Sequence, residues 1–174
     1  MALTILNHTL RIAFLIILQA LVVSKMLLLD GLVLPYIYIF GILMLPFETP
    51  RWMMLFLTFG IGMVMDKFTG LMGLHTSACV FLGFMQPLVQ KFLSPREGYE
   101  ITQRPTVQSM GLSWYIAYAS ILTFLHHFWL LFLEVFRVSD FFHTSLRVLL
   151  SASATLILMI IGQYLIYKPK SYEL

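Results

Sequence analysis

Long apolar runs separated by short polar clusters organise the chain, and each run predicts a helix. The first extends from about Leu10 to Leu29, with Arg11 and Lys25 near its ends, where long basic side chains can snorkel to an interface, and Asp30-Gly31 closes it. A second helix is predicted over 32–47, with Pro35 in its first turn, where a missing backbone N–H costs little. Leu45-Pro46-Phe47-Glu48-Thr49-Pro50-Arg51 carries two prolines and two charges, which predicts a tight turn into a third helix over about 51–67. Helices two and three then form an antiparallel hairpin. At about 1.5 Å per residue the clean cores 32–45 and 52–65 cover roughly 21 Å, short of the roughly 30 Å of a hydrocarbon layer. Extension to Phe47 and Lys67, or local thinning of the bilayer, makes up the difference. After the turn Asp66 to Gly70 a fourth helix is expected over about 71–93, kinked near its end by Pro87. Ser94 to Ser109 is the longest polar interruption and divides the chain into four helices and two; the fifth is predicted over 110–136, the sixth over 144–167, with a polar tail from Lys168. Internal repeats, heptads and low-complexity tracts are absent.

Composition turns these helices into membrane spans. Of 174 residues 60% are apolar and 11% charged, against roughly 45–50% and about 25% in a soluble domain. A compact domain of this length buries only about 70% of its surface, and too few polar residues exist to cover the rest. Six spans of roughly 20 residues use about 120 positions, so the expectation is one all-α integral membrane domain over 1–174 with six transmembrane helices. That leaves no room for a nucleotide-binding domain, a soluble catalytic domain or a nucleic-acid surface. The net charge of +3 comes from 11 basic and 8 acidic residues scattered at helix ends, a topology signal and not a basic patch. With both termini on one side, that side carries Arg11, Arg51, Lys91, Arg96, Arg104, Lys168 and Lys170, and the other Lys25, Lys67, Arg137 and Arg147. The excess predicts cytoplasmic termini. Cys79 is alone, so no intramolecular disulfide forms. Residues 12–23 imitate a signal h-region, but the apolar run continues beyond them, as a first spanning helix does.

Within this frame few residues carry chemistry. Asp66 ends Gly60-Ile61-Gly62-Met63-Val64-Met65-Asp66, and an ionisable group near a membrane helix is a candidate site, although a structural cap or an ion pair with Lys67 fits equally. Gly60 and Gly62 read as points of close helix packing. His75, His126 and His127 invite a metal, but adjacent histidines on a helix point about 100° apart and the three- or four-residue spacing of ligands on one helix is missing. Structural or interfacial histidines, with no metal and no other cofactor, are the expectation. Ser113, Ser151 and Ser153 have no base beside them, and neither a Gly-x-Ser-x-Gly motif nor a P-loop occurs. Ser151 to Thr155 reads as a small-residue packing face, and Glu134 with Arg137 as an interfacial ion pair.

The hairpin from Leu34-Pro35-Tyr36 to Leu45-Pro46-Phe47-Glu48-Thr49-Pro50, then Gly60-x-Gly62 with Asp66, then Gly70 and Gly73-Leu74-His75, resembles the MreD family of rod shape-determining proteins. The Pro46 to Pro50 turn and Leu93-Ser94-Pro95-Arg96-Glu97-Gly98-Tyr99-Glu100 are similar to its Bacteroidetes branch. These motifs cover residues 32–100, and helices five and six match in length and hydropathy.

The resemblance implies a non-enzymatic, multi-pass subunit of the bacterial inner membrane that supports lateral peptidoglycan synthesis. Its implied partners are MreC, a single-pass protein with a periplasmic domain, and, directly or indirectly, MreB, RodA and a penicillin-binding transpeptidase, besides the lipid bilayer. Partner-binding or structural candidates are Pro46, Glu48, Pro50, Arg51, Asp66, Gly73, His75, Arg96 and Glu97. The family's fold is similar to the substrate-binding subunits of energy-coupling-factor transporters, which supplies an alternative function, a vitamin-binding membrane subunit. Those subunits present an Ala-x-x-x-Ala face on helix one, where this chain offers Ala20 with Ser24, and it lacks a long polar first outer loop.

Overall fold

A computed structural model describes residues 2–25, 28–100, 103–135 and 140–166, with the backbone alone described at 2–8 and 24. Among them the chain is all-helical: α1 (Ala2–Leu21), α2 (Ile39–Leu43), α3 (Arg51–Thr69), α4 (Leu74–Phe92), α5 (Val107–Met110), α6 (Leu112–Val135) and α7 (Phe141–Ile166). The expected ends at Phe136 and Tyr167, and Arg137, Lys168 and Lys170, lie outside the described residues.

Three helices, α3, α6 and α7, are long and apolar enough to cross a membrane. α4 equals α3 in length, but His75, Gln86, Gln90 and Lys91 lower its apolar character. The apolar residues Trp52, Phe56, Met72, Phe92, Phe142 and Leu165 are exposed, which suits a lipid surround. α3 packs along α4, α4 along α6, and α6 along α7. Two tight glycine contacts bring α3 and α4 together: a Cβ at Gly62 would run into the Thr76 backbone, and one at Gly83 would strike the Thr58 side chain. Gly60 has open space around it, so the close-packing expectation holds for Gly62 only.

Two predicted helices are redrawn. The first ends at Leu21, not Leu29, and begins earlier. Beyond a 3-10 turn at Val23–Lys25, the chain reverses through Leu29, Asp30 and Gly31, all left-handed with φ of 48°, 54° and 83°, and Leu28 pairs with Val33 across the reversal. The second predicted helix, 32–47, contains only the short α2. An unbroken apolar run reports burial on all sides, whichever backbone conformation lies beneath it. Pro35 removes one donor and biases Leu34 away from helix, and residues 34–38 run without helical structure into α2. Tyr36 to Leu45 are all buried, so this interrupted strand of chain forms the centre of the molecule, packed with Met65, Ala78, Leu82, Tyr115, Tyr118 and Leu122. Helix four runs on through Pro87 to Phe92.

Candidate functional site

Non-helical backbone buried away from water survives only where protein or a cavity satisfies its polar groups. Around 34–45 protein does so. The Leu34 amide donates to Ser151 Oγ at 2.9 Å and the Tyr36 amide to Thr155 Oγ1 at 3.0 Å, both on α7. Gln19 of α1 serves two groups at once: its Oε1 accepts from the Ile37 amide at 2.7 Å, and its Nε2 donates to the Pro35 carbonyl at 3.1 Å. At the C-terminal end of α2, Tyr118 Oη donates to the Leu43 carbonyl at 3.0 Å, Gln86 Nε2 to the Ile42 carbonyl at 3.3 Å and Arg11 Nη2 to the Met44 carbonyl at 3.4 Å. Polar residues in otherwise apolar helices therefore take the place of the missing helical bonds. The expected small-residue face at Ser151 to Thr155 has this more specific role.

Beside the break lies a cluster of rings. Tyr38 Oη sits 3.0 Å from His75 Nδ1 on α4 and 2.8 Å from His126 Nε2 on α6, with Cys79 Sγ at 3.6 Å. His127 Nδ1 donates to its own helix at Thr123 O, 2.8 Å away, and its Nε2 lies 3.0 Å from Thr155 Oγ1. The Tyr36 ring stands among all three histidines, with centroids 5.4, 5.9 and 5.1 Å from His75, His126 and His127. Because α6 lies between α4 and α7, the roughly 100° between adjacent side chains turns His126 toward one neighbour and His127 toward the other. All three histidines and Tyr38 are fully buried, and His75 Nε2 and His126 Nδ1 have no hydrogen-bond partner. No three His, Cys, Asp or Glu side chains among the described residues are placed to hold a metal.

Asp66 caps α4. Its carboxylate accepts from the amides of Gly73 at 2.9 Å, His75 at 2.8 Å and Thr76 at 3.1 Å, and from Thr76 Oγ1 at 2.5 Å. Gly73, left-handed at φ 86°, turns the chain so that these amides converge. The side chain is buried and satisfied, and the neighbouring Lys67 points to the exposed surface. At the opposite end of the bundle, Pro46, Glu48, Pro50 and Arg51 form the expected knuckle: Thr49 Oγ1 donates to Pro46 O at 2.7 Å, and Pro50 caps α3. Residues 94–100 and 103–106 fold over it. Tyr99 stacks on Phe47 at 4.1 Å and donates to Gln90 O at 2.6 Å, Trp114 Nε1 donates to Leu93 O at 3.0 Å, and Arg104 pairs with Glu48 at 3.6 Å. Arg51, Arg96 and Glu97 are exposed. Glu134 faces Arg147 of α7 at 4.0 Å.

The candidate residues therefore fall at two ends of the molecule. Of them, His75 alone enters the ring cluster. Gln19, Tyr36, Tyr38, Ser151 and Thr155 were not singled out as site residues by the pattern; their signal was a polar group on an apolar helix, which names no partner. An apolar groove of about 540 Å³ opens between α1 and α7, beside Pro35, Ile37 and Phe40. Compared with known proteins, the chain matches no family model, no curated protein and no solved structure.

Proposed function

We propose that this chain is a six-crossing, non-enzymatic inner-membrane subunit of the bacterial cell-elongation complex, of the MreD kind, which holds MreC and through it supports lateral wall synthesis. The motif resemblance over 32–100 motivates the partners. The observation that carries the non-enzymatic part is the use of the polar interior: Gln19, Ser151, Thr155, Gln86 and Tyr118 bind the interrupted backbone and not an open pocket. Such a body is a rigid platform for neighbouring helices.

Six crossings follow if 34–45 counts as one. About 3.3 Å per extended residue over 34–36 and about 1.5 Å per residue over the helical turns of 37–45 give roughly 23 Å, which spans a hydrocarbon layer of roughly 30 Å with local thinning of the bilayer. Orientation is supported by charge. Among the described residues the end bearing the knuckle carries five basic residues, Arg11, Arg51, Lys91, Arg96 and Arg104. The other carries three, Lys25, Lys67 and Arg147. The end richer in lysine and arginine belongs in the cytoplasm.

Depletion is expected to round elongated cells, and the purified protein to carry MreC with it. A second reading, the vitamin-binding transporter subunit, draws on the buried histidines and tyrosines at a broken crossing, where membrane proteins often place ligands. Loss of vitamin uptake on depletion, with cell shape unchanged, would replace the first reading by the second.

A further inference from the structure

The Tyr38 hydroxyl joins two histidines but has one proton to give. A neutral imidazole carries its single N–H on one nitrogen and a bare lone pair on the other. Tyr38 Oη is within hydrogen-bond distance of both His75 Nδ1, 3.0 Å, and His126 Nε2, 2.8 Å. If Tyr38 donates to His126 Nε2, the His126 proton must sit on Nδ1, and His75 must offer its own Nδ1–H to Oη. If Tyr38 donates to His75 Nδ1, the His75 proton sits on Nε2, and His126 must offer Nε2–H. The thiol of Cys79 at 3.6 Å competes weakly in either case.

We propose that His75 and His126 form a coupled tautomer pair, both Nδ1–H or both Nε2–H, held in step by the Tyr38 hydroxyl and able to pass a proton between water molecules at their outer nitrogens. The balance assigns those nitrogens. Starting from the Nδ1–H pair, a water at His75 Nε2 gives one proton to it. His75 Nδ1 then passes its proton to Oη while the Oη proton moves to His126 Nε2. His126 Nδ1 finally gives a proton to a second water. One proton enters, one leaves, and the pair ends as Nε2–H. The entry and exit atoms, His75 Nε2 and His126 Nδ1, are buried ring nitrogens that have no partner among the described residues. An unpartnered buried polar atom costs about 1–3 kcal/mol, which a water at each would relieve.

The surrounding groups leave the pair to itself. The Asp66 carboxylate is engaged by three backbone amides and Thr76. His127 is engaged by Thr123 O and Thr155, and the Tyr36 ring meets His75 and His126 edge-on, at 84° and 70°. The bridge ties the interrupted crossing to α4 and α6 by one hydroxyl.

The test is nitrogen NMR on the full chain in lipid nanodiscs with ¹⁵N-ring-labelled histidine, reading which nitrogen of each ring is protonated. The expected result is the same tautomer at His75 and His126. Opposite tautomers, or a doubly protonated ring at either, overturn the proposal. In Tyr38→Phe both His75 Nδ1 and His126 Nε2 signals are expected to shift, and an unshifted signal at either nitrogen disproves the bridge. Should that variant fail to fold, Cys79→Ala decides together with the wild-type spectrum: an unchanged pair supports the bridge, and a changed tautomer shows that the thiol, which donates to Tyr38 Oη, sets the tautomers in place of the hydroxyl bridge and overturns it.

Discussion

Two glycines, Gly60 and Gly62, separated by one residue on α3, face opposite fates. A methyl group on Gly62 would meet the Thr76 backbone, which cannot yield without moving α4, whereas a methyl on Gly60 meets nothing. Overpacking typically costs about 1–3 kcal/mol, and replacing a helical glycine by alanine where space allows gains roughly 0.5–1 kcal/mol. Gly62→Ala should therefore lower the unfolding midpoint in detergent, and Gly60→Ala should hold or raise it. Equal loss in both would show that α3 and α4 are not in close contact at Thr76. Asp66 gives a second contrast. Asp66→Asn places an NH₂ group against a cluster of donors and removes the charge that favours the α4 N-terminus. The expected loss is about 1–3 kcal/mol, seen as a lower midpoint with insertion retained. Normal stability together with loss of MreC capture would instead assign Asp66 to partner binding, because a cap that contributes nothing to stability is not acting as a cap.

At the scale of the element, the interrupted segment 34–45 depends on side chains from elsewhere. Gln19→Leu would orphan the Ile37 amide and the Pro35 carbonyl together, at about 1–3 kcal/mol for each, and Thr155→Val would remove the acceptor for the Tyr36 amide. Both variants should destabilise more than Ser153→Ala, whose side chain is exposed; matching midpoints for all three would mean that the crossing holds its shape without these bonds. The same dependence explains what could be read from the pattern and what could not. α3, α4 and α7 fall within a few residues of the expected helices, because their apolar runs end in strong local signals: Pro50 before α3, and Gly70 and Gly73 around the turn that follows it. The break at 34–38 was illegible, because its partners lie far along the chain, Leu34 with Ser151 and Tyr36 with Thr155. His126 and His127 were rightly separated by direction, but only the packing of α6 between two helices reveals what each one meets.

For the whole molecule, the two ends of the bundle make orientation testable. A thiol placed at Thr106 would be a poor reporter, since that residue is 2% exposed and occupied in capping α5. Glu97 and Ser109 at the knuckle end and Lys67 at the other are exposed. The native Cys79 is buried and should stay silent toward a charged maleimide. The excess of lysine and arginine at the knuckle end predicts that cysteines at Glu97 and Ser109 react from the cytoplasmic side and a cysteine at Lys67 from the periplasmic side. The prediction also tests the interrupted crossing. If 34–45 spans the membrane, a cysteine at Leu29, exposed on the reversal before it, reacts from the same side as one at Lys67. A cysteine at Glu48, exposed in the turn after it, then reacts with Glu97. Labelling of Leu29 and Glu48 from one side would make the segment a re-entrant loop, reduce the crossings to five, and place the two termini on opposite sides of the membrane.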